Sequence, residues 1–158
     1  MLRRTVGVVS FTLAACLLAP GTAARASGSS DLQLVRIRAS DTAVAPGGRI
    51  RFVAVARNAG PDDLVNDSLD ITYSRVRHLD ITSVHCSDGV SPDTPSCEFG
   101  AVPAGDSVRM IVVGHARTAT YGSNVRIRFC VSNEAATAPD PNHANDCLAA
   151  AVPISADS

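Results

Sequence analysis

Apolar and polar residues alternate with a period of two along most of this chain, and no helical periodicity interrupts them after the first 26 residues. RIRFVAVARN (49–58) sets Ile50, Phe52, Ala54 and Ala56 on one face and Arg49, Arg51 and Arg57 on the other. DSLDITYS (67–74) and HLDITSV (78–84) repeat the pattern, with Leu69, Ile71 and Tyr73, then Leu79 and Ile81, facing inward. SVRMIVVGHA (107–116) turns Val108, Met110 and Val112 inward, and NVRIRFCVS (124–132) does the same with Val125, Ile127, Phe129 and Val131. CLAAAVPI (147–154) places Leu148, Ala150, Val152 and Ile154 on one face. The first stretch, DLQLVRIRAS (31–40), changes phase between Leu34 and Val35, which a bulge or a strand crossing between sheets would produce.

Turn-forming clusters separate these stretches: APGG (45–48), NAGPDD (58–63), SDGVSPDTPS (87–96), PAGD (103–106) and PDPNHAND (139–146). About seven short strands with such punctuation predict an all-β fold, an immunoglobulin-like antiparallel β-sandwich. Parity extends to the cysteines. Cys130 faces outward if Phe129 and Val131 face in, and Cys147 faces outward if Leu148 faces in, so the two can meet across neighbouring strands. Cys86 and Cys97 enclose a run of Gly, Pro, Ser and Asp with no other means of holding a shape. The expected disulfides are 86–97 and 130–147, preferred over the other two connectivities. Each closes a short loop and contributes about 3 kcal/mol in the chain-entropy picture.

The chain opens MLRRTVGVVSFTLAACLLAPGTAARASGSS, with a basic start, an apolar run, a Pro-Gly break and a small-x-small site ending at Ala26. Residues 1–26 are expected to be a signal peptide, and 27–158 one domain with its core at about 31–154. A rival reading takes Leu13-Ala14-Ala15-Cys16 as a lipobox that would anchor the protein by a lipid on Cys16, although Leu17 and Leu18 continue the apolar run. Removing 1–26 takes away Arg3, Arg4 and Arg25 and no acid, so 11 Arg face 15 acids, a net charge of −4. That balance argues against nucleic acid as a partner. Four cysteines in an exported chain fit an oxidising compartment, and the mature chain is expected to carry no transmembrane segment.

Three candidate chemistries arise. Gly105-Asp106-Ser107 and Asp140-Pro141-Asn142-His143 imitate a secreted serine hydrolase, with Ser107 as nucleophile, His143 as base and Asp140 to orient it. Ser107, however, opens an alternating strand, and no Gly or Asn block supplies an oxyanion hole. Asp140, Asn142 and Asp146 could offer oxygens to Ca²⁺, but Asp and Asn beside Pro are also the material of turns, and no metal is expected. The cluster Asp62, Asp63, Asn66, Asp67 is no closer to a calcium loop, and His78, His85, His115 and His143 lack zinc spacing. Arg126 and Arg128, with Arg49 and Arg51, could form a strip for acidic partners; the simpler expectation is a solvated face balanced by Asp70 and Asp80. Phe99 and Tyr121 are the aromatic side chains expected to be free for ligand contact, the others reading as core.

The order of these signals resembles a bacterial family, the repeat called domain of unknown function eleven. The matching pieces are APGGRIRFVAVARNAGPD, then SVHCSDGV and SCEFGAVPAGDSVRMIVVGHAR, and finally VSNEAATAPDPNHANDC, together covering about residues 44–152. The segment SRVRHLDITSV lacks the turn usual in that family, and one copy stands here where tandem copies are usual. The resemblance implies an immunoglobulin-like module of secreted and surface proteins without catalytic residues or cofactors. The expected function is a non-catalytic interaction or structural module whose partner is an extracellular protein or envelope component.

Overall fold

The alternating stretches fold into eight strands: β1 (Leu32–Ala39), β2 (Arg49–Asn58), β3 (Leu69–Arg77), β4 (Leu79–Cys86), β5 (Ser96–Phe99), β6 (Ser107–Ala116), β7 (Asn124–Asn133) and β8 (Cys147–Pro153). The computed structural model describes residues 29–64, 69–87, 95–118, 122–133 and 140–155. The expected signal peptide with Cys16, the positions Asn66, Asp67 and Tyr121, and most of the 87–96 loop lie outside the described residues. No helix among the described residues is long and apolar enough to cross a membrane.

Two antiparallel four-stranded sheets result, ordered β1-β2-β6-β4 and β5-β3-β7-β8. This is the immunoglobulin-like arrangement, with eight strands rather than about seven. The additional one is β5, whose four residues pair Leu69↔Phe99 through Thr72↔Ser96 with β3. A run of four residues is too short to display an alternation, so it reads as the tail of the preceding turn cluster.

The inward faces meet in one core. Ile50, Phe52, Ala54 and Ala56 of β2 and Met110 and Val112 of β6 pack with Leu69 and Ile71 of β3 and Val125, Ile127, Phe129 and Val131 of β7. Phe52 and Phe129 are its largest fully buried side chains. Burying a side chain of this size contributes about 1.5–3 kcal/mol, so the alternation itself selects the register: a one-residue slip would turn each face outward. The phase change in β1 is a bulge, since pairing with β2 jumps from Leu34↔Ala56 to Arg36↔Val55 and leaves Val35 44% exposed. In β4 a second irregularity between Ile81 and Ser83 leaves Ile81 half-buried and brings Val84 against the core.

Two expectations, one of an exposed and one of a buried side chain, need correction. Phe99 is not a free aromatic: pairing of β5 with β3 places it in the core at 3% exposure. Leu148 faces inward by parity but sits at the start of edge strand β8 and remains 39% exposed, so burial on this side falls to Val152 and to Ile154 just beyond the strand's end.

Both open sides of the sandwich are closed by specific links. The disulfide Cys86–Cys97 joins edge strand β4 of one sheet to edge strand β5 of the other, with Cα atoms 5.7 Å apart. Cys130–Cys147 staples the opposed pair at the β7–β8 end, Cα atoms 4.1 Å apart. On the opposite side no disulfide joins the described residues. There the amide of Leu34 donates to the Asn145 carbonyl at 3.0 Å, and the amide of Val44 to the Pro153 carbonyl at 2.9 Å. The chain leaving β1 thus crosses to the second sheet, where Val44 bridges Ile154 in parallel.

Candidate functional site

The connection before β8 holds most of the residues singled out for chemistry. Asp140 is buried at 8% exposure. One of its carboxylate oxygens accepts the Leu32 amide at 2.8 Å and the other the Asn142 amide at 2.7 Å. The carboxylate thus terminates the free amide of β1 and shapes the turn, as Asp does where its side chain can replace a backbone acceptor. Asn142 and His143 are exposed. Asn145 donates through its side-chain amide to Asp31 at 3.0 Å, a second tie between this turn and the start of β1.

His143 is held by Asp146, Nδ1 to carboxylate oxygen 2.9 Å. That hydrogen bond and the carboxylate's charge raise the His143 pKa above its ordinary value of 6.5. Burial raises the Asp146 carboxyl above its ordinary value and outweighs the opposing hydrogen bond from His143. With Asp140 committed to two backbone amides, the orienting role imagined for it toward His143 falls to Asp146 instead. Ser107 begins β6 in the other sheet, opposite Arg57, and no hydrogen bond joins it to His143 among the described residues. Asp140 and His143 thus belong to one turn, and no hydrogen bond among the described residues joins either of them to Ser107.

The three candidate metal ligands divide in the same way. Asp140 has both oxygens occupied, Asn142 points to solvent, and Asp146 shares one oxygen with His143. Among the described residues no group of three or more His, Cys, Asp or Glu converges as a metal site.

A different surface assembles on the outer face of the β3-β7-β8 sheet. There an open groove of about 590 Å³ is lined by Arg75, Arg77, Arg126 and Arg128 above Ala149 and Ala151. Arg77 stands directly opposite Arg126 across the strands, a like-charge pairing that is unfavourable in isolation. None of these four arginines forms an ion pair with a described residue. Asp80, expected to balance them, is engaged by Arg117 at 2.9 Å, and Asp70 lies opposite Ser132 toward the other end of the sheet. Arg49 and Arg51 belong to β2 in the opposite sheet, so the expected strip of four is replaced by another set. The sequence signal for Arg75 and Arg77 is the two-residue spacing within SRVRH, the same as that of Arg126 and Arg128. Arg75 and His78 adopt left-handed φ values of 51° and 57°, a backbone cost concentrated at the groove's rim.

No family model matches the chain, and no curated protein matches it. Among solved structures it is similar to AvmM, described as catalysing macrocyclization in alchivemycin A biosynthesis, at 14% identity and a TM-score of 0.45, covering 84% of this chain and 90% of that one. It is also similar to a DUF4466 family protein from Parabacteroides merdae at 13% identity and a TM-score of 0.33, covering 78% of this chain but only 44% of that longer one.

Proposed function

We propose that this chain is an exported bacterial module that works by binding or by structural presence outside the cell, without catalysis. The observation that carries the reading is the unbalanced arginine groove on the face of a doubly stapled sandwich. Four guanidinium groups held on strands offer a pre-organised surface for anionic groups, and binding sites on rigid elements lose little entropy on engagement. Two disulfides suit an oxidising compartment, and the N-terminal segment has the features of an export signal. The resemblance to the domain-of-unknown-function-eleven repeat supports the same reading.

Export predicts a mature N-terminus at Ser27, or an acylated Cys16 if the lipobox is used; N-terminal sequencing and mass determination of the secreted protein distinguish them. Deleting the gene and fractionating the producer test the module reading itself. Association with the envelope or with a secreted component is expected. A protein that binds neither, and whose loss leaves the envelope unchanged, refutes it. The competing hydrolase is checked with Ser107→Ala and His143→Ala on short-chain esters. An esterase activity lost in both variants while the fold survives would replace the binding module with an enzyme.

A further inference from the structure

The outer edge of β8, with β1 packed close beside it, carries no hydrogen bonds between two clips. The amide of Ile154 donates to the Ser123 carbonyl at 2.8 Å and that of Val131 to the Asp146 carbonyl at 2.8 Å. With the β7–β8 register, these bonds direct Leu148, Ala150 and Val152 toward β7. Ala149 and Ala151 therefore turn their N–H and C=O groups away from the sheet. The outward carbonyls of Asn145 and Pro153 are used by Leu34 and Val44. Between those points no described residue bonds to the outward backbone of Ala149 or Ala151. A slot of about 450 Å³ lies there instead, bounded by residues 38–42 on one side and 150–152 on the other. It shares Ala150 and Ala151 with the arginine groove.

Each outward alanine stands opposite an arginine, Ala149 with Arg128 and Ala151 with Arg126. These are the closely spaced, non-hydrogen-bonded pairs of the ladder. A methyl group is the whole side chain between each of these arginines and the free edge. Side chains two apart on a strand repeat every ~6.8 Å. Acids at alternate positions of an added strand would thus run in step with Arg126 and Arg128.

We propose that β8 accepts an added strand from a partner protein: an extended segment with Asp or Glu at every second position. Its backbone pairs with Ala149 and Ala151, and its carboxylates meet Arg126 and Arg128. The proposal rests on the interaction-module reading and names the partner's chemistry. Main-chain pairing supplies affinity and the arginines supply selection, the division of labour usual in strand addition. The carboxylates would also relieve the repulsion between Arg77 and Arg126, and Arg–carboxylate pairs can form two parallel hydrogen bonds. Because the slot lies between fixed clips at Asn145 and Pro153, eight residues apart in the sequence, it suits a short segment of about five residues rather than a long strand.

The test uses the oxidised mature chain labelled with ¹⁵N and capped peptides of sequence Val-Glu-Val-Glu-Val and Val-Lys-Val-Lys-Val. The acidic peptide is expected to shift the Ala149 and Ala151 amide resonances and slow their exchange with solvent, and the lysine peptide to do neither. R126E/R128E should weaken the acidic peptide by about tenfold or more and favour the lysine peptide. A151P removes an outward donor without touching a β7–β8 bond, as Pro153 already does at the same parity. It should cost about tenfold while keeping the charge preference. If A151P does not fold, an acidic peptide N-methylated on its edge-facing residues makes the same comparison against the intact protein. Equal binding of methylated and unmethylated peptides overturns strand addition. Inorganic polyphosphate binding wild type and A151P alike, more tightly than the peptide, assigns the arginines to a soluble polyanion and also overturns it. Absence of peptide binding in a protein that still associates with the envelope overturns this proposal and leaves the module reading standing.

Discussion

Asp140 accepts the backbone amide of Leu32 across 108 residues of sequence, at 2.8 Å and in a buried setting. A turn near the end of the chain thereby fixes the start of the first strand. Buried hydrogen bonds to a charged group contribute about 1.5–3 kcal/mol. Asp140→Ala orphans the Leu32 amide and should lower stability by about that amount. Asp140→Asn keeps one acceptor but sets its NH2 against the Leu32 or the Asn142 amide, so it should cost about as much as the alanine. Urea denaturation of the oxidised protein measures both. An Asp140→Asn variant as stable as wild type, beside a destabilised Asp140→Ala, would mean that the side chain's volume, not its hydrogen bonds, matters there.

Much of this architecture is legible in residue order because its cause is local. Alternation in β2, β6 and β7 reflects one buried and one wet face, and the β1 phase break marks a real bulge at Val35. The outward parity of Cys130 and Cys147 anticipates their bond. What escapes the sequence is set by pairing partners far along the chain. Phe99 looks free until β5 is laid against β3, and Leu148 looks buried until β8 proves to be an edge. Asp140 reads from its neighbours as a turn residue, which its bond to the Asn142 amide agrees with, but nothing local shows that Leu32 will present a second amide to it. The arginine groove is hidden for a similar reason. Arg77 and Arg126 are 49 positions apart in sequence, and only the β3–β7 register brings them opposite each other.

Asn58 is the polar counterpart of the buried core. It is fully buried, donates through Nδ2 to the carbonyls of Asp62 at 2.9 Å and Val102 at 3.0 Å, and accepts the Gly60 amide at 3.1 Å. It holds the NAGPDD turn onto the Leu64–Val102 bridge. Asn58→Asp has no amide to donate and turns acceptor against acceptor, so a loss of about 3 kcal/mol or more is expected in chemical denaturation. Gly60 supports the same corner: a Cβ there would lie 2.5 Å from the Asp31 nitrogen, so Gly60→Ala must displace backbone. Additive losses in the double variant would show that the two residues do not share one turn.

The two disulfides should differ in what their removal frees. Cys130–Cys147 joins strands that already share a ladder, whereas Cys86–Cys97 is a covalent link between the sheets at an edge where β5 has only four residues. Loss of either is expected to cost about 3 kcal/mol. Hydrogen exchange should separate them. Cys86→Ala with Cys97→Ala is expected to speed exchange across β5 and the adjoining end of β4. Cys130→Ala with Cys147→Ala should confine the change to the start of β8. Identical exchange maps would refute this division.

His143 makes the stability of the last turn depend on pH. Its pKa is raised chiefly by the hydrogen bond to Asp146 and then by that residue's charge. A histidine whose folded-state pKa exceeds its unfolded value binds its proton more tightly when folded. Its contribution is therefore fully present below the ordinary value of 6.5 and is lost as pH rises through the folded-state value. Asp146 acts in the same direction at lower pH: burial raises its carboxyl above 3.8, so its ionisation on rising pH also disfavours the folded state. His143→Gln removes the upper step and leaves the lower. The difference in melting temperature between wild type and His143→Gln should be largest below pH 6.5 and vanish as the histidine deprotonates. Because His143 is exposed, added salt should shrink that difference. A difference that stays constant across the range, or grows with pH, would show that the His143–Asp146 contact does not couple protonation to folding.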